Sequence, residues 1–132
     1  MKLIIGTGSR NWREITSIRK VISSIFDEFG KTEWEYYHGA AQGFDSYSDF
    51  ILRQNKFTAI TPFPAHWNLY SKAAWLLRNQ EMLSMGLTKY SAGDILVIAM
   101  PLTASKGTWD MVKRSKKADV AVRVYNEKGS LV

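Results

Sequence analysis

Cysteine is absent from all 132 residues. That gap excludes disulfides, thiolate metal sites and cysteine nucleophiles together, and it fits a reducing compartment. Long apolar runs are missing as well. None approaches the ~20 residues needed to cross a bilayer, and Leu3-Ile4-Ile5, ended by Gly6, is too short for the core of a secretory signal. A soluble, cytoplasmic protein with no membrane partner is expected. Two familiar phosphate-binding signatures are also absent. No G-x-x-x-x-G-K-[ST] loop occurs, and the G-x-G-x-x-G pattern beginning at Gly6 fails because Asn11 stands at its third glycine. The second apolar segment ends in Tyr37-His38, without the acid that reads a ribose in a dinucleotide oxidoreductase. No metal site and no cofactor are expected.

What is present is an ordinary globular composition. Hydrophobic residues make up 45% and charged residues 23%, which excludes a disordered chain. The length suits one domain and is too short for two. The net charge is +6, with much of the excess in Lys113-Arg114-Ser115-Lys116-Lys117. A basic balance suits an anionic partner, either nucleic acid or a phosphorylated small molecule. The same run also suits the solvated end of a helix, because helix C-termini favour cations.

Short apolar strands alternate with helix-period segments. Strands are expected over Lys2–Gly6, Trp34–His38, Phe57–Thr61, Asp94–Met100 and Val120–Tyr125. The fourth, almost wholly apolar, has the pattern of a central strand covered on both faces. Helices are expected from Glu14 to Gly30, from Phe44 to about Asn55, from Tyr70 to a stop at Gly86, and over Thr108–Lys117. Such alternation predicts an α/β, Rossmann-like, three-layer fold with a mainly parallel five-stranded sheet. One domain covers residues 1–132, with 126–132 as a loose tail. Parallel sheets of this kind bind ligands beyond the carboxyl ends of their strands, so the loops that follow strands carry the functional information.

Three of those loops carry anion-binding chemistry. In Gly6-Thr7-Gly8-Ser9-Arg10 the glycines admit a close anion, helix amides are expected next, Ser9 adds a hydroxyl and Arg10 a two-pronged guanidinium. In His38-Gly39-Ala40-Ala41-Gln42-Gly43-Phe44-Asp45, small residues again leave room, and Asp45 is either a helix cap or an acceptor for a ribose hydroxyl. His38 is either a proton donor or a structural hydrogen-bonder. In Ser105-Lys106-Gly107-Thr108 a helix N-terminus offers amides, two hydroxyls and a lysine. One shared ligand explains three such loops on one sheet edge better than three independent caps do. Phe63-Pro64-Ala65-His66-Trp67 adds aromatics suited to stacking a base or to a structural clamp.

Taken in order, Thr7-Gly8-Ser9-Arg10 with Trp12, His38-Gly39 to Gly43-Phe44-Asp45, Phe63-Pro64-Ala65-x-Trp67, Arg78-Asn79-x-x-Met82 and Gly107-Thr108-x-Asp110-Met111 resemble the YspA-like branch of the SLOG superfamily. That superfamily includes LOG-type nucleotide phosphoribohydrolases and the DNA-processing protein DprA. The resemblance implies a Rossmann-like sheet, pocket residues at Gly8, Ser9, Arg10, Gly39, Asp45, Gly107 and Thr108, an inward-facing Arg78 beside Asn79, and assembly into at least a dimer. A surface for that assembly is offered by Tyr70, Trp75 and Leu76, which core packing explains equally well. One departure bears on chemistry. The LOG-type pattern P-G-G-x-G-T-x-x-E ends in a glutamate that assists cleavage of the N-glycosidic bond, and Met111 occupies that place. Asp110 stands one residue early, turned by about 100° on a helix.

The expected function is therefore binding of a nucleotide or nucleotide-derived molecule, ADP-ribose-like or cyclic, by a sensor or a sequestering protein. The expected ligand-binding residues are Thr7, Gly8, Ser9, Arg10, His38, Gly39, Gln42, Gly43, Asp45, Arg78, Asn79, Ser105, Lys106, Gly107 and Thr108. A phosphoribohydrolase or related N-glycosidase is the alternative, with Asp45, Glu81 and Asp110 as candidate catalytic carboxylates. Binding of single-stranded nucleic acid through the basic helix is a second alternative, and its affinity would fall steeply with salt.

Overall fold

The computed structural model describes residues 1–132, the side chain of Lys72 excepted. Five strands alternate with helices: β1 (Leu3–Gly8), α1 (Thr16–Phe29), β2 (Glu35–His38), α2 (Phe44–Gln54), β3 (Ile60–Pro62), the short α3 (Trp67–Tyr70), α4 (Ala74–Lys89), β4 (Ile95–Met100), α5 (Lys106–Lys117) and β5 (Ala121–Val124). All five strands pair in parallel, in the order β3-β2-β1-β4-β5. This is the expected three-layer Rossmann-like arrangement.

Strand alternation sorts the core into two layers, since successive side chains point to opposite faces. Ile4, Tyr36, Leu96 and Ile98 face α1 and α2, where Ile18, Val21, Ile22, Ile51 and Leu52 meet them. Leu3, Ile5, Tyr37 and Val97 face the other way, onto Met82 and Leu83 of α4 and Met111 of α5. Filling both layers with branched and aromatic side chains contributes about 1.5–3 kcal/mol per fully buried residue. The chain winds outward from β1 to β3, then returns to place β4 on the other side of β1. The strand order therefore reverses between β1 and β4, and a crevice opens there beyond the carboxyl ends of the strands.

Several expected boundaries are corrected. Gly86 does not stop the long helix, which runs on to Lys89. Gly86 is buried where α4 crosses β1, and a Cβ there would lie 2.6 Å from a Leu3 methyl, so it is a packing glycine. That helix also begins at Ala74 rather than Tyr70, because Ser71 has φ 48°, incompatible with a continuous α-helix. The third strand covers only 60–62. Phe57 leaves the ladder to pack on Trp34, ring centroids 4.3 Å apart, and Pro62 is tolerated because β3 is an edge strand. The tail expected to be loose folds back. Val132 N donates to Val124 O (2.8 Å), Asn126 N to Ser130 O (2.8 Å), and the Ser17 hydroxyl of α1 to Glu127 O (2.6 Å).

Candidate functional site: a cationic cleft at the strand switch

The crevice is a cleft of about 300 Å³. Its walls are the three glycine- and serine-bearing loops, with Arg78 and Asn79 of α4 between them. The loops singled out in the sequence do share one cavity.

The first wall is the β1–α1 loop. Ser9 N donates to Met100 O (3.1 Å), the Trp12 indole donates to the same carbonyl (2.8 Å), and Phe44 N donates to Ser9 O (3.1 Å). The loop is thereby pinned between the end of β4 and the start of α2, with Thr7, Gly8, Ser9 and Arg10 at the cleft. The expectation of free helix amides here is corrected. Seven residues separate β1 from α1, and the Glu14 carboxylate takes up Thr16 N at 2.9 Å. That hydrogen bond, against a small opposing effect of burial, holds the Glu14 carboxyl below its ordinary value.

Free helix amides do occur on the third wall. The first intrahelical bond of α5 is donated by Trp109 N to Ser105 O (3.1 Å), so the amides of Lys106, Gly107 and Thr108 precede the ladder and face an anion-favouring helix end. Ser105 does not contribute its hydroxyl as expected. Its Oγ accepts from Leu102 N and donates to Leu102 O, both at 2.8 Å, which closes the turn that launches α5. Asn79 is likewise a fastener: its amide donates to Gly107 O (3.1 Å) and Asp110 Oδ2 (3.0 Å), holding α5 to α4.

The second wall holds the most informative group. Asp45 is 5% exposed, its Oδ2 accepts from Ala41 N at 3.1 Å, and its Oδ1 is buried with no hydrogen-bond partner among the described residues. Burial pushes its carboxyl above the ordinary value, opposed by His38, by the Ala41 amide, by Arg78 and by the nearby Gly39 amide. Arg78 faces inward, its Nη1 donating to Gly39 O and its Nε to Asn79 Oδ1 (3.0 Å). The guanidinium lies so close over Gly39 that a Cβ there would push it aside. Burial lowers the Arg78 pKa, Asp45 opposes that, and the charge of Arg10 adds to it.

Five expected site residues fall elsewhere. His38 lies 4% exposed on the far side of its loop. Its Nδ1 accepts from Ala40 N (2.9 Å), so the hydrogen is on Nε2, which donates to Asp49 at 2.8 Å. Both ring nitrogens are engaged, and the expected ligand role is corrected to a structural one. Gly43 (φ 73°) lets its loop pack on the Arg10 backbone, where a Cβ would lie 2.5 Å from Arg10 O, and it does not line the cleft. Gln42 borders an adjoining hollow instead. Among the candidate carboxylates, Glu81 is exposed outside the cleft, and Asp110 is taken by Asn79 and by Arg114 (2.8 Å). Met111, set at a glutamate position by the resemblance, is 0% exposed in the core layer beneath α5.

Trp75, Met82, Asn11, Ala41 and Ala104 line the cleft beyond the expected set. Trp75, offered for assembly or for core packing, lines the cleft and stands 3.7 Å from a Cβ position on Gly107. Trp75, Arg78, Asn79 and Met82 sit at i, i+3, i+4 and i+7 of α4, a stripe whose spacing marks one helix face. That stripe was readable; which way it faced was not. The basic run of α5 is separate: Lys113, Arg114 and Lys117 border a shallow groove with Leu83 and Leu87 on the outer side of α4 and α5. No helix among the described residues is long and apolar enough to cross a membrane.

Fold and cleft together define an α/β protein of the doubly wound, Rossmann-like class with a cationic cleft at its strand switch. No family model and no solved structure matches the chain. It is 31% identical over 135 aligned positions to the Gene 61 protein of Mycobacterium phage D29, covering 97% of this chain and 99% of that protein. The chain belongs to the family of that phage protein.

Proposed function

We propose that the protein binds a nucleotide or nucleotide-derived molecule in this cleft and serves as its sensor or as a sequestering protein. The Oδ1 atom of Asp45 carries the reading. A buried carboxylate oxygen without a partner costs roughly 1–3 kcal/mol or more, and it belongs to a residue of a cleft that otherwise offers guanidiniums and helix amides. A ligand supplying both anionic oxygens and a hydroxyl donor satisfies every one of these groups, and a sugar phosphate is such a ligand. Trp67 and Trp75 add apolar walls suited to a base. Isothermal titration with AMP, ADP-ribose and 3′,5′-cyclic nucleotides tests this; no binding of any at micromolar concentration refutes it.

Binding is favoured over cleavage because the position of the LOG-type glutamate is a core methionine and two of three candidate carboxylates lie outside the cleft. Asp45 is the one through which cleavage would have to run, and chromatography of AMP and NAD after incubation detects any free base. Nucleic-acid binding would use the outer face of α5 instead, and is read as a salt-dependent shift of a labelled single strand.

A further inference from the structure

Beside the cleft lies a second hollow of about 350 Å³, walled by Ala40, Gln42, Pro64 and Ala65. The two cavities share Arg10, Gly39, Ala41, Trp67 and Arg78. They are thus two lobes of one groove, and the residues at their waist include two guanidiniums. Arg78 is held in place there by Gly39 O and Asn79 Oδ1, while Arg10 is exposed and near enough for its charge to act on Arg78. The ion pairs of the described residues lie elsewhere, at His38–Asp49, Arg53–Asp49, Lys89–Glu35, Arg114–Asp110 and Arg123–Glu28. Two neighbouring cations that no carboxylate bridges repel one another, and an anion laid across both relieves the repulsion.

The lobes differ in character. The deep lobe has the unpartnered Asp45 oxygen, Trp75 and the opening amides of α5. The outer lobe has Pro64, Ala65 and Trp67 as apolar walls and Gln42 in its lining. Each lobe alone is at the bottom of the roughly 300–1,000 Å³ range of small-molecule sites, and the two joined lie well inside it.

We propose that the ligand is two-headed: two nucleoside or sugar halves joined by a pyrophosphate, which lies across Arg10 and Arg78 at the waist. The deep half brings a hydroxyl to Asp45, and the outer half lies between Trp67 and Gln42. This rests on the reading of the cleft as a nucleotide site and specifies which nucleotides it takes. Linking two weakly held halves through one anchored bridge raises affinity by about 100-fold or more over one half alone.

The test is calorimetric titration of the full chain with ADP-ribose, AMP and ribose 5-phosphate at one salt concentration. ADP-ribose is expected to bind at least about 100-fold tighter than either half. Ala65→Trp, which fills the outer lobe, is expected to reduce that ratio to about threefold or less, with a loss of ADP-ribose affinity of the same order as the linkage gain. Gln42→Trp fills the same lobe from an exposed position, and serves if the first variant does not fold. Equal affinity for ADP-ribose and AMP overturns the two-headed ligand and leaves the nucleotide reading standing. A preference that survives filling of the outer lobe overturns it too. Absence of binding by all three molecules removes both.

Discussion

The loop from Gly39 to Gly43 separates two polar clusters that look alike in sequence and behave oppositely. On one side His38, Asp49 and Arg53 form a closed set: each His38 nitrogen has a partner, and Asp49 receives His38 at 2.8 Å and Arg53 at 2.6 Å. Burial pushes the Asp49 carboxyl up, but the hydrogen bonds from Arg53 and His38 outweigh it and hold it below the ordinary value. On the other side Asp45 keeps a buried oxygen without a partner, and Arg10 and Arg78 have no bridging carboxylate. A saturated cluster stabilises the fold and has nothing left for a ligand. An unsaturated one costs stability and keeps its valences for something else. Binding and stability should therefore respond to mutation in opposite proportion on the two sides.

The sharpest break in that comparison comes at Arg78. Arg78→Met keeps much of the apolar stem and removes the fork at the waist. It is expected to weaken nucleotide binding by about 2–5 kcal/mol, roughly 30- to several-thousand-fold, and to cost a smaller amount of stability, about 1–2 kcal/mol, because Gly39 O and Asn79 Oδ1 lose their donor. Affinity unchanged in this variant would place the ligand outside the cleft. Asp45→Asn comes next. Losing the charged acceptor is expected to reduce affinity for ribose-bearing ligands by about 1–3 kcal/mol. Stability of the ligand-free protein should move the other way. The folded-state pKa of Asp45 is raised above its unfolded value, so the native state holds the proton more tightly. The carboxyl's unfavourable contribution is then absent below the ordinary carboxylate range and grows as pH rises toward the folded value. Asn should raise the melting temperature at neutral pH and lose that advantage in acid, which paired melts across pH read directly.

On the saturated side the proportions invert. His38→Ala is expected to cost about 1–3 kcal/mol of stability, since it strands the Ala40 amide and one Asp49 oxygen. Nucleotide affinity should stay within about threefold of the parent, well under the 1.4 kcal/mol of a tenfold change. A large affinity loss without a stability loss would put His38 back among the ligand contacts.

Residue patterns carried the architecture further than they carried the site. The short apolar runs, above all the wholly buried Ile95–Met100 strand, were legible because their cause is local: both faces of a parallel strand meet a layer. Gly86 was misleading because a glycine looks the same whether it ends a helix or lets one approach a strand. The three loops were legible as anion-ready, since glycine, serine and a following helix are written in the chain. Which polar side chain in a loop is saturated was not legible. His38 and Asp45 are seven positions apart in one loop–helix unit, and only the placement of Asp49, Arg53 and Ala40 around the first decides between them.

The smallest predicted effect tests the third wall. Ala40 (φ 56°) and Ala104 (φ 63°) both hold left-handed backbone in the loops that border the two lobes. A Cβ in that conformation crowds its own carbonyl and costs roughly 1–2 kcal/mol, which glycine avoids. Glycine also gives the unfolded chain more freedom, a loss of about 0.5–1 kcal/mol. The two terms leave Ala104→Gly with a net gain between zero and about 1.5 kcal/mol, read as a small rise in denaturation midpoint with an unchanged slope. Ligand affinity should hold steady, because the backbone already lies where glycine would put it. If the variant is instead destabilised, the left-handed turn before α5 is held by its surroundings without strain. The amides of Lys106, Gly107 and Thr108 would then owe their position to Ser105 and Asn79 alone.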